Sequence, residues 1–256
     1  MGKIRTRREG RHLILTLADS GRQNALSGEM IAEVEAALDA LTEGLGALVI
    51  EGEGGVFSAG ADLKALGAAL STPPGDVDPL ETFNAAGGRF FARFHALPCV
   101  TVALVDGAAV GGGMGLAAAA DIVIATPRAR FALSETSLGF PPAQIAPYLV
   151  ARLGLRVATR LALTGARLDG REAATLGLAD FYTETDGMDR LGEVLAAVGR
   201  CAPGANAQTK HLLRAVAGPD YIERAARAFA AALRGPEGAE GLAAFAGKRA
   251  PDWAKA

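Results

Sequence analysis

The chain has 256 residues, half of them hydrophobic but only 5% aromatic, and a formal net charge of −2. That length can bury a sizeable core, and a charge balance so near neutral excludes the broad basic face that nucleic-acid binding needs. No apolar run reaches the ~18 residues that span a bilayer. The two cysteines, Cys99 and Cys201, have neither disulfide nor metal-ligand spacing, which fits a reduced cytoplasm.

In chain order, the basic start with Lys3, Arg5, Arg7, Arg8 and Arg11 nominally matches a targeting peptide, and Gly2 to Thr6 a myristoylation pattern. His12 to Leu17 follows at once as a strand, so the cluster reads instead as a charged hairpin edge that discourages pairing with another chain. Ser27 stands as N-cap ahead of Met30, Ile31, Val34, Leu38 and Leu41 at helical spacing. Ala47 to Ile50 is a short buried strand, Gly52 to Gly60 a glycine-rich loop and Asp62 to Leu70 a helix. Ser71 to Asp76, with two prolines, breaks that helix and is the candidate mobile loop. A helix from about Leu80 carries Phe83, Phe90, Phe91 and Phe94 on one side, as core or as the apolar wall of a ligand site.

Val100 to Val105 is the next strand and runs into Asp106, Gly107 and the triplet Gly111, Gly112 and Gly113. Asp121 to Ala125 and Arg130 to Ala132 are further short strands. From Gln144 the pattern is mostly helical, with one more strand near Ala179 to Thr183. Four amphipathic helices close the chain, at 191–198, 205–216, 221–233 and 237–248. Strand–helix units followed by an all-helical tail predict an α/β core over 1–190 and a helical C-terminal region over 191–256.

The glycine-rich turns fail as phosphate cradles. Gly55 to Gly60 has the spacing of a phosphate loop, but Ala61 and Asp62 stand where lysine and a hydroxyl are required. Gly113 to Ala118 fits a relaxed dinucleotide fingerprint, with Glu135 as its acid, yet a new strand begins after barely two helical turns. No Gly-x-Ser-x-Gly elbow is present, and His12, His95 and His211 fall at unconnected positions. A helix N-terminus opened by glycine can instead hold an oxyanion, because its first N–H groups lack internal partners and no side chain blocks approach. Phe57 to Lys64 is a second strand-to-helix glycine loop that can supply another donor.

The segments FSAGADLKAL and DGAAVGGGMGLAAAADI together resemble the two signatures of the enoyl-CoA hydratase/isomerase, or crotonase, family, in the family's order and about fifty residues apart. Gly21 to Leu26 resembles that family's first CoA-contacting loop, Phe131 to Glu135 its catalytic-glutamate segment, and Phe245 to Arg249 its C-terminal signature. The resemblance implies a spiral of ββα units, a helical C-terminal region used in trimer assembly, and acyl-CoA thioesters as substrates. Oxyanion donors would be the N–H groups of Ala61 and Gly112, with Glu135 the catalytic carboxylate. Coenzyme A, here part of the substrate and not a separate cofactor, would contact Arg22, Asn24, Ala25, Leu26, Ala59, Asp62, Leu63, Phe245 and Lys248. A homotrimer or a dimer of trimers is implied, and no metal, nucleic-acid or membrane partner.

One position departs from the pattern. Hydratases of this family commonly use two glutamates; the second falls on Glu135, but the first falls on Gly115. Glu135 and the following Leu138 to Tyr148 resemble a branch that includes methylglutaconyl-CoA-type hydratases, which also carry glycine there. The expectation is hydration of an α,β-unsaturated acyl-CoA by a single carboxylate whose pKa an apolar pocket raises. Two rivals stay open: a Δ3-Δ2 enoyl-CoA isomerase, and a family member that binds acyl-CoA without chemistry. Gln144 reads either as a group that orients water or an acyl carboxylate, or as an ordinary polar residue at a helix start, the preferred reading.

Overall fold

The computed structural model describes residues 2–42, 44–201, 203–214 and 221–249. Strands β1 (Ile4–Glu9) and β2 (His12–Leu17) form an antiparallel hairpin, and α1 (Gly28–Asp39) follows, its first turn capped by Ser27 Oγ accepting from Met30 N–H. The chain then repeats one unit three times. β3 (Ala47–Gly52) leads to β4 (Val56–Ser58), then α2 (Leu63–Ser71) and α3 (Pro79–His95). β5 (Val100–Val105) leads to β6 (Ala108–Val110) and α4 (Gly112–Ala119). β7 (Ile122–Ala125) leads to β8 (Arg130–Ala132), a single 3-10 turn at Glu135–Leu138, and α5 (Ala146–Thr164). Then come β9 (Arg167–Asp169), α6 (Gly170–Leu176), β10 (Phe181–Tyr182), α7 (Met188–Gly199), α8 (Pro203–Arg214), α9 (Tyr221–Arg234) and α10 (Pro236–Ala246).

Each unit gives its first strand to a six-stranded sheet, ordered β1-β2-β3-β5-β7-β10, and its second to a four-stranded sheet, ordered β4-β6-β8-β9. This is the expected spiral of ββα units. β1 is an edge strand, so its arginines stand where they blunt strand pairing.

Strands β2, β3 and β5 are parallel and alternate between two buried faces. Leu15, Leu17, Leu48 and Ile50 enter the main core with Phe90, Phe94 and Met114. Ile14, Val49 and Val102 face the opposite way, under Leu191, Val194 and Leu195 of α7. Three strands were not expected. β4 lies inside the predicted glycine-rich loop, β6 in the approach to the triplet, and β9 in the region read as helical. At three residues each they are too short to show an alternation. The strand predicted near Ala179 contracts to Phe181–Tyr182.

The C-terminal helices close over the core. Phe229 and Leu233 of α9 pack with Leu66, Leu80 and Phe140, and Arg234 Nε donates to Asp78 Oδ2 at 2.8 Å. Helix α10 lies against the Glu135 turn so closely that a Cβ on Gly241 would stand 2.0 Å from Leu138 O. The predicted end of the 205–216 helix, the His211 side chain and the last seven residues lie outside the described residues.

Candidate active site

Three loops converge at the start of α4. In the first, Asn24 is fully buried in a left-handed conformation (φ 52). Its Oδ1 accepts from Asp19 N–H at 2.9 Å, and its Nδ2 donates to Glu53 O at 3.0 Å and Val56 O at 2.7 Å. Leu26 N–H donates to Gly60 O at 2.8 Å, which fastens this loop to the second. Ser58 Oγ adds to the joint, donating to Asn24 O at 2.7 Å and accepting from Gly60 N–H at 3.1 Å. Asp62 then caps α2, accepting from Lys64 N–H at 3.0 Å, and pairs with Arg22 at 2.8 Å.

Gly60 brings the second loop onto the third. Its φ of +84 favours glycine, and a Cβ there would stand 2.4 Å from Val110 O and 2.8 Å from Gly112 N. A Cβ on Gly112 would in turn stand 3.5 Å from Ala61 N. The Ala61 and Gly112 amides are therefore neighbours. Neither donates to another described residue, and Gly112, as the first residue of α4, has no intrahelical acceptor. The pair is a preformed, two-donor site at the positive end of a helix. In the triplet, Gly113 serves close packing, since a Cβ there would stand 2.2 Å from Ser58 O.

Glu135 faces this pair from the 3-10 turn after β8. Gly111 makes room for it: with φ +51, a Cβ on Gly111 would stand 2.9 Å from Glu135 Oε1. Glu135 is only 9% exposed, and its buried Oε2 has no hydrogen-bond partner among the described residues. Burial penalises its charged form and pushes its pKa up to about 7. Leu26, Ala61, Gly112 and Glu135 line one cavity of about 250 Å³, walled by Phe83, Phe90, Phe91, Phe140 and Phe229. The phenylalanines of α3 thus fulfil both readings: Phe90 and Phe91 belong to the core and also line the cavity.

Gly115 lies one turn along α4 from Gly112. A Cβ there would stand 2.1 Å from Ile145 Cγ2. The space that a side chain at position 115 would need is thus filled by an aliphatic side chain, and Ile145 also lines the cavity. The neighbouring Gln144 is buried and donates from Nε2 to Asn84 Oδ1 at 2.8 Å. It stands at the helix start as expected, one residue before the α5 N-cap Ile145, but does not cap the helix.

The other predicted contacts sit around the rim. Arg22 keeps 39% of its side chain exposed beside Asp62, Ala25 and Ala59 are half-buried in the joined loops, and Leu63 opens α2. Because the Asn24 side chain is wholly engaged within the chain, this loop offers a ligand its backbone. Phe245 and Lys248 are exposed at the end of α10 and do not line the cavity. His95 Nδ1 meets Ala119 O at 2.9 Å, and His12, partly buried in β2, has its pKa lowered by burial. Neither histidine lines the cavity. Sequence reasoning missed Asn84, Phe140, Ile145 and Phe229. The signal for Ile145 was Gly115 itself, since a close-packed interior leaves no void where a side chain is lost. Among the described residues no cluster of three or more His, Cys, Asp or Glu could hold a metal, and no helix is long and apolar enough to cross a membrane.

The family model described as enoyl-CoA hydratase/isomerase matches residues 12–252. An enoyl-CoA hydratase/isomerase from Marinobacter aquaeolei is 40% identical and superposes with a TM-score of 0.79 over 99% of both chains. An enoyl-CoA hydratase from Mycobacterium avium is 30% identical, with a TM-score of 0.85 over 99% of both chains. The 2,3-dehydroadipyl-CoA hydratase of Escherichia coli is 29% identical over 262 aligned positions, covering 99% of each chain.

Proposed function

The chain belongs to the enoyl-CoA hydratase/isomerase family, and we propose that it adds water reversibly across the Cα=Cβ bond of an α,β-unsaturated acyl-CoA. The observation that carries this reading is Glu135. A buried carboxylate with an oxygen that has no partner among the described residues shares an apolar cavity with two adjacent N–H donors that none of those residues engages. The thioester carbonyl accepts from Ala61 and Gly112 N–H, and the bond to each donor strengthens as charge moves onto that oxygen. Ionised Glu135 takes a proton from water while the hydroxyl oxygen bonds to Cβ. The Cα=Cβ electrons pass to the enolate, whose oxygen the two donors hold. Glu135 then returns its proton to Cα, so one O–H bond and the Cα=Cβ π bond are broken and one C–O and one C–H bond are formed. The donors are backbone atoms fixed by the Gly60–Gly112 contact and need no reorganisation as the charge develops.

Arg22, Leu63 and the 24–26 and 59–62 loops are the proposed CoA rim, with Phe245 of α10 and Lys248 just beyond that helix contributing. A homotrimer or dimer of trimers is the proposed assembly, consistent with Leu155 and Leu163 standing 70% and 74% exposed on α5. Light scattering that finds a strict monomer removes that part of the proposal.

Purified protein given 2-enoyl-CoA and 3-enoyl-CoA, with Glu135→Gln as control, tests the reaction. Hydration consumes the conjugated thioester chromophore; isomerisation of the 3-enoyl compound creates it. Because Ile145 occupies the second carboxylate's place, the site has a single proton carrier, which isomerisation also requires. Chromophore gain from 3-enoyl-CoA without loss from 2-enoyl-CoA would therefore reassign the enzyme. Wild type as inert as the Gln variant on a broad panel would leave a binding protein.

A further inference from the structure

Among the described residues, the cavity's polar side chains are Glu135 and an amide pair that the proposed reaction does not use, Asn84 and Gln144. The pair is a built feature. Asn84 sits inside α3, where asparagine is a poor helix former, and Gly88 sits one turn later, where glycine weakens the helix. Packing explains the glycine: a Cβ on Gly88 would stand 2.2 Å from Gln144 Oε1 and 2.6 Å from its Cδ. With Gly88 open, Gln144 lies against α3 and its Nε2 donates to Asn84 Oδ1 at 2.8 Å. That bond fixes the Asn84 amide so that its other end, Nδ2, is the group left over. Asn84 lines the cavity, and its Nδ2 has no acceptor among the described residues. A fixed donor in an otherwise apolar wall discriminates by what it leaves unpaired when the ligand brings no acceptor.

We infer that Asn84, held by Gln144, is a specificity-determining residue that selects an acyl chain bearing a neutral oxygen acceptor. This rests on the acyl-CoA reading above and narrows its substrate class. The acceptor is uncharged for two reasons. Among the described residues no Lys, Arg or His lines the cavity, so a buried carboxylate would be unpaired. Ionised Glu135 would also repel it. A carbonyl oxygen, which only accepts, is the matching group.

Calorimetric binding of saturated acyl-CoAs isolates this subsite from the reaction. The probes are hexanoyl-CoA, its oxo isomers with the carbonyl on the fourth or fifth carbon, and adipyl-CoA. At least one oxo isomer should bind about tenfold more tightly than hexanoyl-CoA, as one neutral hydrogen bond allows, and adipyl-CoA should bind no better than hexanoyl-CoA. Asn84→Leu should bring the oxo and plain chains to the same affinity. Asn84→Asp keeps the size and the Gln144 bond but replaces the donor with an acceptor, and should reverse the order. Circular dichroism and Tm confirm that each variant is folded. Equal affinity for all probes, an oxo preference that survives both substitutions, or adipyl-CoA binding most tightly would each overturn the inference. If the preference holds while no enoyl-CoA is hydrated, the reaction is wrong and the subsite stands. If no acyl-CoA binds, both fall.

Discussion

Replacing Glu135 with glutamine should make the protein more stable and less active, and the gain in stability should depend on pH in a direction fixed by the site. Burial raises the Glu135 pKa from 4.5 to about 7. Between those values the folded protein keeps a proton that the unfolded chain releases. The stability Glu135 contributes is therefore fully present below about pH 4.5 and is lost as pH rises through about 7. The whole shift corresponds to about 3 kcal/mol of destabilisation once Glu135 is ionised. Glutamine is nearly the same size and never ionises. The variant should therefore melt close to wild type near pH 5 and well above it near pH 8, by roughly 6–12 °C at 2–4 °C per kcal/mol for a chain of this length. Hydration should fall by about 10²–10⁴-fold in the same variant. Thermal melts at both pH values decide the matter. A gap of equal size at the two pH values, or a Gln variant less stable at pH 8, would refute a desolvated carboxylate at this position.

Wild-type kcat/KM for hydration should rise through roughly pH 7 as Glu135 gains its ionised form, and a profile that falls there would assign it the role of acid instead. Gly60→Ala forces a Cβ into Val110 O and Gly112 N at a left-handed φ; it should lower kcat by about 10²-fold or more by parting the two donors, read against Tm. Gly115→Glu alone should destabilise by about 3 kcal/mol or more through collision with Ile145, while adding Ile145→Gly should recover most of the lost Tm. Asn24→Ala removes the side chain of a fully buried residue that makes three hydrogen bonds. It should cost about 3 kcal/mol by chemical denaturation.

Much of the site was legible because backbone geometry demands particular residues. Gly60, Gly111 and Gly113 are close approaches that leave a mark in sequence, and Ser27 and Asp62 are caps that side-chain chemistry dictates. The spiral was legible where strands are long enough to show a buried run, as in β3 and β5. It was illegible in β4, β6 and β9, whose register is set by neighbouring strands. The cavity wall was half legible. Its α3 residues share one helix and one period, but Phe140 and Phe229 reach it from distant segments, and nothing local in either marks a ligand. Asn84 and Gln144 are 60 positions apart, and their meeting depends on how α3 lies against the approach to α5.

Gly115 and Gly88 share one logic with opposite chemical results. Each is a helix residue stripped of its side chain, and in each case a residue of the 144–145 stretch occupies the space. At Gly115 the occupant is the aliphatic Ile145, so a place that would otherwise admit a carboxylate is apolar and Glu135 has no acidic partner there. At Gly88 the occupant is Gln144, so an otherwise apolar wall acquires an oriented amide. Under the proposed function, two consecutive residues ahead of α5 therefore set both the number of proton carriers and the polarity of the acyl wall. It follows that the two properties are coupled through one backbone segment. Moving the 144–145 stretch to admit a second acid beside α4 also shifts Gln144 from Gly88 and releases Asn84. Gly115→Glu with Ile145 retained should accordingly lose the preference for an oxygen-bearing acyl chain, and adding Ile145→Gly, which removes the collision, should restore it.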